Sequence, residues 1–160
     1  MTGTPDPAVH TLDAERRTQV AVRLQATLVD LIDLTLQAKQ AHWNVTGENS
    51  RAVNEQLDEI VDTYREWGDS IAERIAALGV NPDGRAATVA AGSTVVPMPL
   101  GYLDDADVVT MFVERLAATA AAARSLMDDL GHLDAVSQDI LIDVVKDLEE
   151  DLWMLQAQHR

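Results

Sequence analysis

Residues 79–103, GVNPDGRAATVAAGSTVVPMPLGYL, are the stretch of the chain that decides its fold. Glycine and proline punctuate this stretch, and a connection of such length is uncommon inside a compact domain. Fully extended, it is long enough to run the whole length of a helix of about 40 Å. We therefore predict a long crossover, with a short helix over residues 86–91.

Four long segments with helical periodicity flank this crossover, two on each side. The first runs over about residues 13–40, and the second ends at Gly79, placed as a C-terminal cap. The third begins at Asp104 or Asp105 and ends at Gly131, and Asp134 is the predicted N-cap of the fourth. The predicted core positions are Val20, Leu24, Leu28, Leu31, Leu34 or Thr35, Ala38, Leu57, Ile60, Val61, Tyr64, Trp67, Ile71, Ile75, Leu78, Val109, Phe112, Leu116, Ala120, Ala123, Leu126, Leu130, Ile140, Val144, Leu148, Leu152 and Leu155.

Short links join the first segment to the second and the third to the fourth, which makes each pair antiparallel neighbours. Two helical hairpins joined by one long crossover form a ferritin-like four-helix bundle. The fold class is therefore predicted to be all-α. We expect one domain over residues 13–158, after a flexible N-terminal segment over residues 1–12.

The charge balance is strongly acidic, with 27 Asp and Glu against 12 Lys and Arg and a net charge of −15. Such a surface repels nucleic acid, and the chain has no Lys- or Arg-rich tail, so we predict no strong direct DNA binding. The same charge attracts cations, although excess acid also simply keeps proteins soluble. The chain has no cysteine, which excludes disulfides and thiolate metal sites. Without a signal peptide or membrane-length apolar run, we expect a cytoplasmic protein with no membrane partner.

Metal-ligand patterns are absent from the predicted core. No Glu-x-x-His pair occurs among the four histidines, and the core stripes carry no carboxylate. Since unpaired acids are expensive to bury, we do not expect a metal site inside a single bundle.

A polar stripe follows the second helical segment beside its apolar face. Asn54, Asp58, Asp62, Asp69 and Glu73 recur at steps of four or seven residues. The alternative interpretation is a solvated acidic face.

A histidine, His42, ends the first segment. Imidazole with two carboxylates suits Fe(II), Zn(II) or Mn(II), although a lone histidine beside Trp43 also fits a structural role. Carboxylates outside the bundle core enclose a metal only at an interface between two subunits.

Two motifs with their intervening spacing resemble the Dps family of mini-ferritins. They are AKQAHWNVTG at residues 38–47 and DSIAER at residues 69–74, with Asp58 between them. Residues 136–139, VSQD, and 150–153, EDLW, are also similar to family segments. The resemblance covers nearly the whole chain and agrees with the long crossover.

The resemblance implies a homo-dodecameric hollow shell with ferroxidase sites at two-fold subunit interfaces. In that arrangement His42 binds iron from one subunit, Asp69 and Glu73 bind it from the partner, and Asp58 is an accessory carboxylate. Trp43 and Trp153 would take up stray oxidising equivalents. The implied function is oxidation of Fe(II) by peroxide or dioxygen and storage of ferric mineral, which protects against oxidative damage. Fe(II)/Fe(III) is the implied metal, with no organic cofactor, and the implied location is cytoplasmic, with possible association with the nucleoid.

Two residues depart from the family pattern. Ser50 stands where the family has an aromatic residue, usually Phe, and Asn54 stands where it has a second His. Because an amide oxygen is a poor replacement for imidazole on Fe(II), we expect one strong iron position per interface and slow oxidation. One alternative is an assembled shell whose site is weakened or inactive. Another is an acidic helical binding module that stays a monomer or dimer.

Asp128, Asp129 and Asp134 surround the turn between the third and fourth segments. The resemblance implies pores at three-fold axes, and acidic rings there would focus the field for cations. For Asp134, helix capping is an equally suitable role.

Overall fold

The computed structural model describes residues 10–158, so most of the predicted flexible segment, residues 1–9, lies outside the described part. Within that part the chain forms five α-helices and two very short strands. The elements are α1 Ala14–Asn44, β1 Val45–Thr46, α2 Ser50–Ala77, α3 Ala86–Gly92, β2 Leu103–Asp104, α4 Asp105–Leu130 and α5 Ala135–Ala157.

Two antiparallel hairpins build the bundle, α1 against α2 and α4 against α5. The crossover between them carries α3, so the predicted all-α, ferritin-like architecture and the short crossover helix are confirmed. The apolar stripes meet in one core, in which Leu24, Tyr64, Phe112 and Leu148 are fully buried. Each fully buried large side chain stabilises the fold by about 1.5–3 kcal/mol. Among residues 10–158, no helix is both long and apolar enough to cross a membrane.

Helix ends follow the capping signals of the sequence. Asp13 accepts a hydrogen bond from Arg16 N at 2.9 Å, and Asp104 accepts one from Ala106 N at 3.1 Å. Gly79, with a φ of +76°, follows the end of α2 in the left-handed conformation that favours glycine. Local sequence therefore sets where these helices begin and end.

Hydrogen bonds hold the turn after α1 against the start of α4. Val45–Thr46 pairs in parallel with Leu103–Asp104, and buried Asp105 accepts a hydrogen bond from Asn49 N at 2.6 Å. Gly47 has a φ of +127°, and a Cβ there would collide with the Asp105 carboxylate. The glycine of the motif at residues 38–47 is thus required by this close approach.

Buried polar side chains fasten the crossover to the bundle. Arg115, only 5% exposed, donates to the backbone oxygens of Val96 at 2.9 Å and Pro97 at 2.8 Å. Asp30 accepts from both the backbone N (2.7 Å) and the hydroxyl (2.8 Å) of Thr94. These bonds satisfy polar groups that would otherwise be costly to bury, and they hold the long connection along α1 and α4.

The N-terminus of α5 is tied to α2 by an ion pair. Arg74 Nη2 lies 2.7 Å from Asp134 Oδ2, and the same oxygen accepts from Ser137 N at 3.1 Å. Burial by itself would raise the pKa of Asp134, but the hydrogen bonds from Ser137 and Arg74 lower it below its ordinary value. The arginine of the motif at residues 69–74 therefore holds two helices together.

Replacing Asp134 with Asn will test this ion pair. Because the folded pKa is depressed, the charge stabilises the fold above the unfolded pKa, and this contribution is lost as the pH falls through the folded value. Asn keeps a capping oxygen but loses the charge-assisted bonds, so we expect a loss of about 1.5–3 kcal/mol at neutral pH. Urea unfolding across pH should show the deficit shrinking in acid. Asp139→Asn, at an exposed position of α5, is the matched control, and an equal pH effect there would contradict the assignment.

Candidate metal centre

One half of the predicted metal site lies where the end of α1 meets the start of α2. His42 Nδ1 lies 3.1 Å from Asp58 Oδ1, and Lys39 Nζ donates to the same oxygen at 2.8 Å. The hydrogen bond from Lys39 lowers the pKa of Asp58, with a further contribution from His42. The structure therefore brings His42 and Asp58 together, with the lysine ammonium already bound to the carboxylate.

Two polar atoms in this region are buried without a hydrogen-bond partner in the described part of the chain. They are His42 Nδ1, whose approach to Asp58 lacks hydrogen-bond alignment, and Asn54 Oδ1. A buried unsatisfied polar atom costs about 1–3 kcal/mol, which a ligand at that position would remove. Imidazole and carboxylate are suitable donors for Fe(II), so the chemistry of this half-site fits the predicted substrate.

The other half of the predicted site lies further along α2. Asp69 and Glu73 are both exposed and one helical turn apart. Asp69 lies eleven residues after Asp58 in α2. This spacing corresponds to about 16 Å along the helix axis. Over residues 10–158, no group of three or more His, Asp or Glu side chains is close enough to hold an ion. A single chain thus presents two separated halves.

An exposed apolar surface connects the two halves. A groove of about 480 Å³ between α1, α2 and the crossover is lined by Asp69 and by Leu36, which is 57% exposed. A second groove, of about 660 Å³, is lined by Leu36 again and by Trp43, which is 68% exposed beside His42. We call these two grooves together the α1 face. Asp69 lines one end of this face, and Trp43, the neighbour of His42 in the sequence, lines the other.

The two departures from the family pattern lie at the start of α2. Ser50 is the first residue of this helix, and Asn54 follows one turn later, one turn before Asp58. Both side chains are half-buried.

The remaining predicted residues are more dispersed. Trp153 is 64% exposed on α5, and Asp128 and Asp129 are exposed at the end of α4, where Asp129 lies 3.3 Å from Arg23. Asp134 is buried as the N-cap of α5, which agrees with its capping interpretation.

Sequence reasoning missed three polar contacts near the site. Besides Lys39, these are Tyr64, whose hydroxyl donates to Asp151 at 2.6 Å, and Trp67, whose Nε1 donates to Asp147 at 2.7 Å. The one sequence signal for these contacts was the four-residue spacing of Asp147 and Asp151, which places both carboxylates on the same face of α5.

Comparison with known proteins agrees with this architecture. The family model for the ferritin-like domain matches residues 22–160. DNA protection during starvation protein of Mycolicibacterium smegmatis is 34% identical over 154 residues, covering 91% of this chain and 80% of that protein. DNA protection during starvation protein 2 of Deinococcus radiodurans is 33% identical over 151 residues, covering 94% of this chain, which spans only 61% of that relative's length. The solved tetragonal form of Mycobacterium smegmatis Dps has a TM-score of 0.90 and 30% identity, covering 97% of this chain and 94% of that one. The chain therefore belongs to the Dps family of ferritin-like proteins.

Proposed function

We propose that this protein binds and oxidises Fe(II) at sites shared between two subunits and stores the ferric product inside a closed homo-oligomeric shell. Membership of a ferritin-like family links the chain to iron storage and protection from oxidative damage. The finer assignment is a cytoplasmic dodecamer with ferroxidase activity. Its shared ferroxidase site rests on the geometry of the two half-sites, whereas the dodecamer and the location rest on the family resemblance.

The observation that carries the proposal is that Asp69 and Trp43, the neighbour of His42, line opposite ends of the α1 face. A two-fold axis near its middle, around Leu36, would bring the His42 end of one subunit onto the Asp69 end of its partner. Burying Leu36 and Trp43 in the same contact would contribute apolar area to the association. One self-complementary contact would then complete two identical metal sites.

Each side chain has a defined task in the completed site. His42 supplies a neutral nitrogen ligand, and Asp69 and Glu73 of the partner subunit supply two negative charges that favour Fe(III) over Fe(II). Asp58, which is held by Lys39, lies 3.1 Å from His42 Nδ1 and adds a negative charge beside the imidazole. Peroxide or dioxygen accepts the electrons.

Other parts of the proposal use exposed side chains. Asp128 and Asp129 are candidates for the lining of a cation pore at a three-fold axis. Asp134 is less suited to a pore because Arg74 and Ser137 occupy its carboxylate. Exposed Trp43 and Trp153 are candidate sinks for stray oxidising equivalents. Direct DNA binding is expected to be weak because of the net charge of −15.

Anaerobic loading of size-separated protein with Fe(II), followed by peroxide and a record of ferric absorbance, tests the proposal. We expect a large assembly that oxidises iron faster than buffer and loses this activity in His42→Ala. A monomer or dimer without iron binding would instead support an acidic helical binding module.

A second candidate function, a shell with a weakened site, is favoured by the bond between Lys39 and Asp58 and by the amide at position 54. The same experiment separates it from the first. A large assembly that binds Fe(II) but oxidises it no faster than buffer would support this candidate.

A further inference from the structure

Tyr64 is a fully buried tyrosine whose hydroxyl group reaches a carboxylate. Its exposed fraction is 0%, whereas the other tyrosine of the chain, Tyr102, is 82% exposed. The Tyr64 hydroxyl donates to Asp151 Oδ2 at 2.6 Å, a distance suited to proton transfer. Asp151 is half-buried on α5, and Trp67 makes a parallel bond to Asp147.

The surroundings of this pair favour joint movement of a proton and an electron. Burial raises the pKa of Tyr64, so the phenol keeps its proton at neutral pH and loses an electron readily only if the proton leaves as well. Burial also raises the pKa of Asp151. The hydrogen bond from Tyr64 opposes this shift, but nearby Asp147, Glu150 and Glu59 add to it, and the pKa stays above its ordinary value. Asp151 is therefore a better proton acceptor than an ordinary surface carboxylate.

Along α2, Tyr64 also lies between the two half-sites that a single subunit carries. It follows Asp58 by six residues and precedes Asp69 by five, which places it within about 9 Å of both along the α2 axis. Tyr64 lines the groove that Asp69 also lines, at one end of the α1 face. Asp151 lines a separate small opening with Glu59 and Met154. Tyr64 and its partner Asp151 thus border two separate openings.

We propose that Tyr64 donates one electron to oxidants formed at the iron site while its phenolic proton passes to Asp151. The source of the oxidant rests on the proposed function. Fe(II) gives one electron to hydrogen peroxide, the O–O bond breaks, and the products are Fe(III), hydroxide and hydroxyl radical. Tyr64 then reduces this radical to hydroxide and becomes a neutral phenoxyl radical, while Asp151 becomes protonated.

A further Fe(II) completes the cycle. It returns an electron to the phenoxyl radical as Asp151 returns the proton, so that two Fe(II) and one peroxide give two Fe(III) and two hydroxide ions. This sequence supplies the second electron that a site with only one strong iron position lacks. In this scheme Tyr64 supplies the electron that an iron at the weakened second position, beside Asn54, would otherwise supply.

The redox competence of Tyr64 is tested without iron. Metal-free assembled protein is mixed with a ruthenium tris-bipyridine photo-oxidant and a sacrificial electron acceptor, and the phenoxyl radical is followed by transient absorption and electron paramagnetic resonance. We expect a phenoxyl signal in the wild type and in Tyr102→Phe, and loss of the long-lived signal in Tyr64→Phe. In Asp151→Asn, which keeps a hydrogen-bond acceptor without the base, radical formation should slow by about a hundredfold.

A signal that disappears in Tyr102→Phe but persists in Tyr64→Phe would overturn the proposal, as would an unchanged rate in Asp151→Asn. A second experiment adds Fe(II) and then peroxide, with a spin trap for hydroxyl radical. Tyr64→Phe should release more trapped radical than wild type and Tyr102→Phe. Equal release, when iron is oxidised, would overturn the second-electron role. Absence of iron oxidation in all variants would instead contradict the proposed function, while the photo-oxidant result still decides the redox role of Tyr64.

Discussion

Co-expression of His42→Ala subunits with Glu73→Gln subunits will restore iron oxidation that each variant lacks alone. Each single variant removes one ligand from every site, so we expect activity to fall by roughly a hundredfold or more. In a mixed pair, one interface site carries both substitutions and the other carries neither. With random mixing, about a quarter of the sites in the population are intact.

The matched control is co-expression of Asp69→Asn with Glu73→Gln. Both residues belong to the same half of the site, so no mixed pair contains an intact site, and activity should stay low. Peroxide-driven ferric absorbance per assembled subunit is the measurement, after size separation confirms equal assembly. If His42→Ala and Glu73→Gln also fail to complement each other, the site is not shared between subunits in the way proposed.

Introducing the family residues at the start of α2, Ser50→Phe with Asn54→His, will raise the rate of iron oxidation and add a second iron to each site. Imidazole at position 54 replaces a weak amide ligand, and the aromatic ring excludes water from the site. A gain of about tenfold in rate is expected. Anaerobic Fe(II) titration gives the stoichiometry, and stopped-flow absorbance after peroxide gives the rate.

Lys39 limits this gain because its ammonium group already donates a hydrogen bond to Asp58 Oδ1 at 2.8 Å. Adding Lys39→Met to the double variant frees the carboxylate, so the triple variant should bind the second iron more tightly than the double variant. Lys146→Met is the control, since Lys146 is exposed on α5 and pairs with Asp143. No increase in rate or stoichiometry in either variant would show that Asn54 and Ser50 do not limit the site.

Local signals in the sequence were sufficient for the helices and the topology, but they did not predict the short parallel pairing of β1 with β2. Helical spacing predicted the faces that carry Leu24 and Phe112, and capping residues such as Asp104 predicted where helices begin. The length of residues 79–103 predicted the crossover. These features depend on neighbours in the chain, which is why a single sequence is enough to recognise them.

The candidate site was only partly accessible to the same reasoning. The sequence by itself identified His42, Asp58, Asp69 and Glu73 through spacing and family resemblance. It did not show that Asp58 is bound by Lys39, because that contact depends on how α1 is rotated against α2. Packing fixes this rotation, and no local pattern encodes it.

Tertiary structure alone decided which polar groups from different elements meet. Tyr64 and Asp151 are 87 residues apart, and only the packing of α2 against α5 brings the phenol to the carboxylate. The buried bonds of Arg115 to the crossover have the same origin. The sequence by itself determined the helices, their caps and the crossover, because these depend on the intrinsic preferences of neighbouring residues. The folded bundle decided which polar groups meet, because a buried polar group must find its partner wherever packing of the core places it.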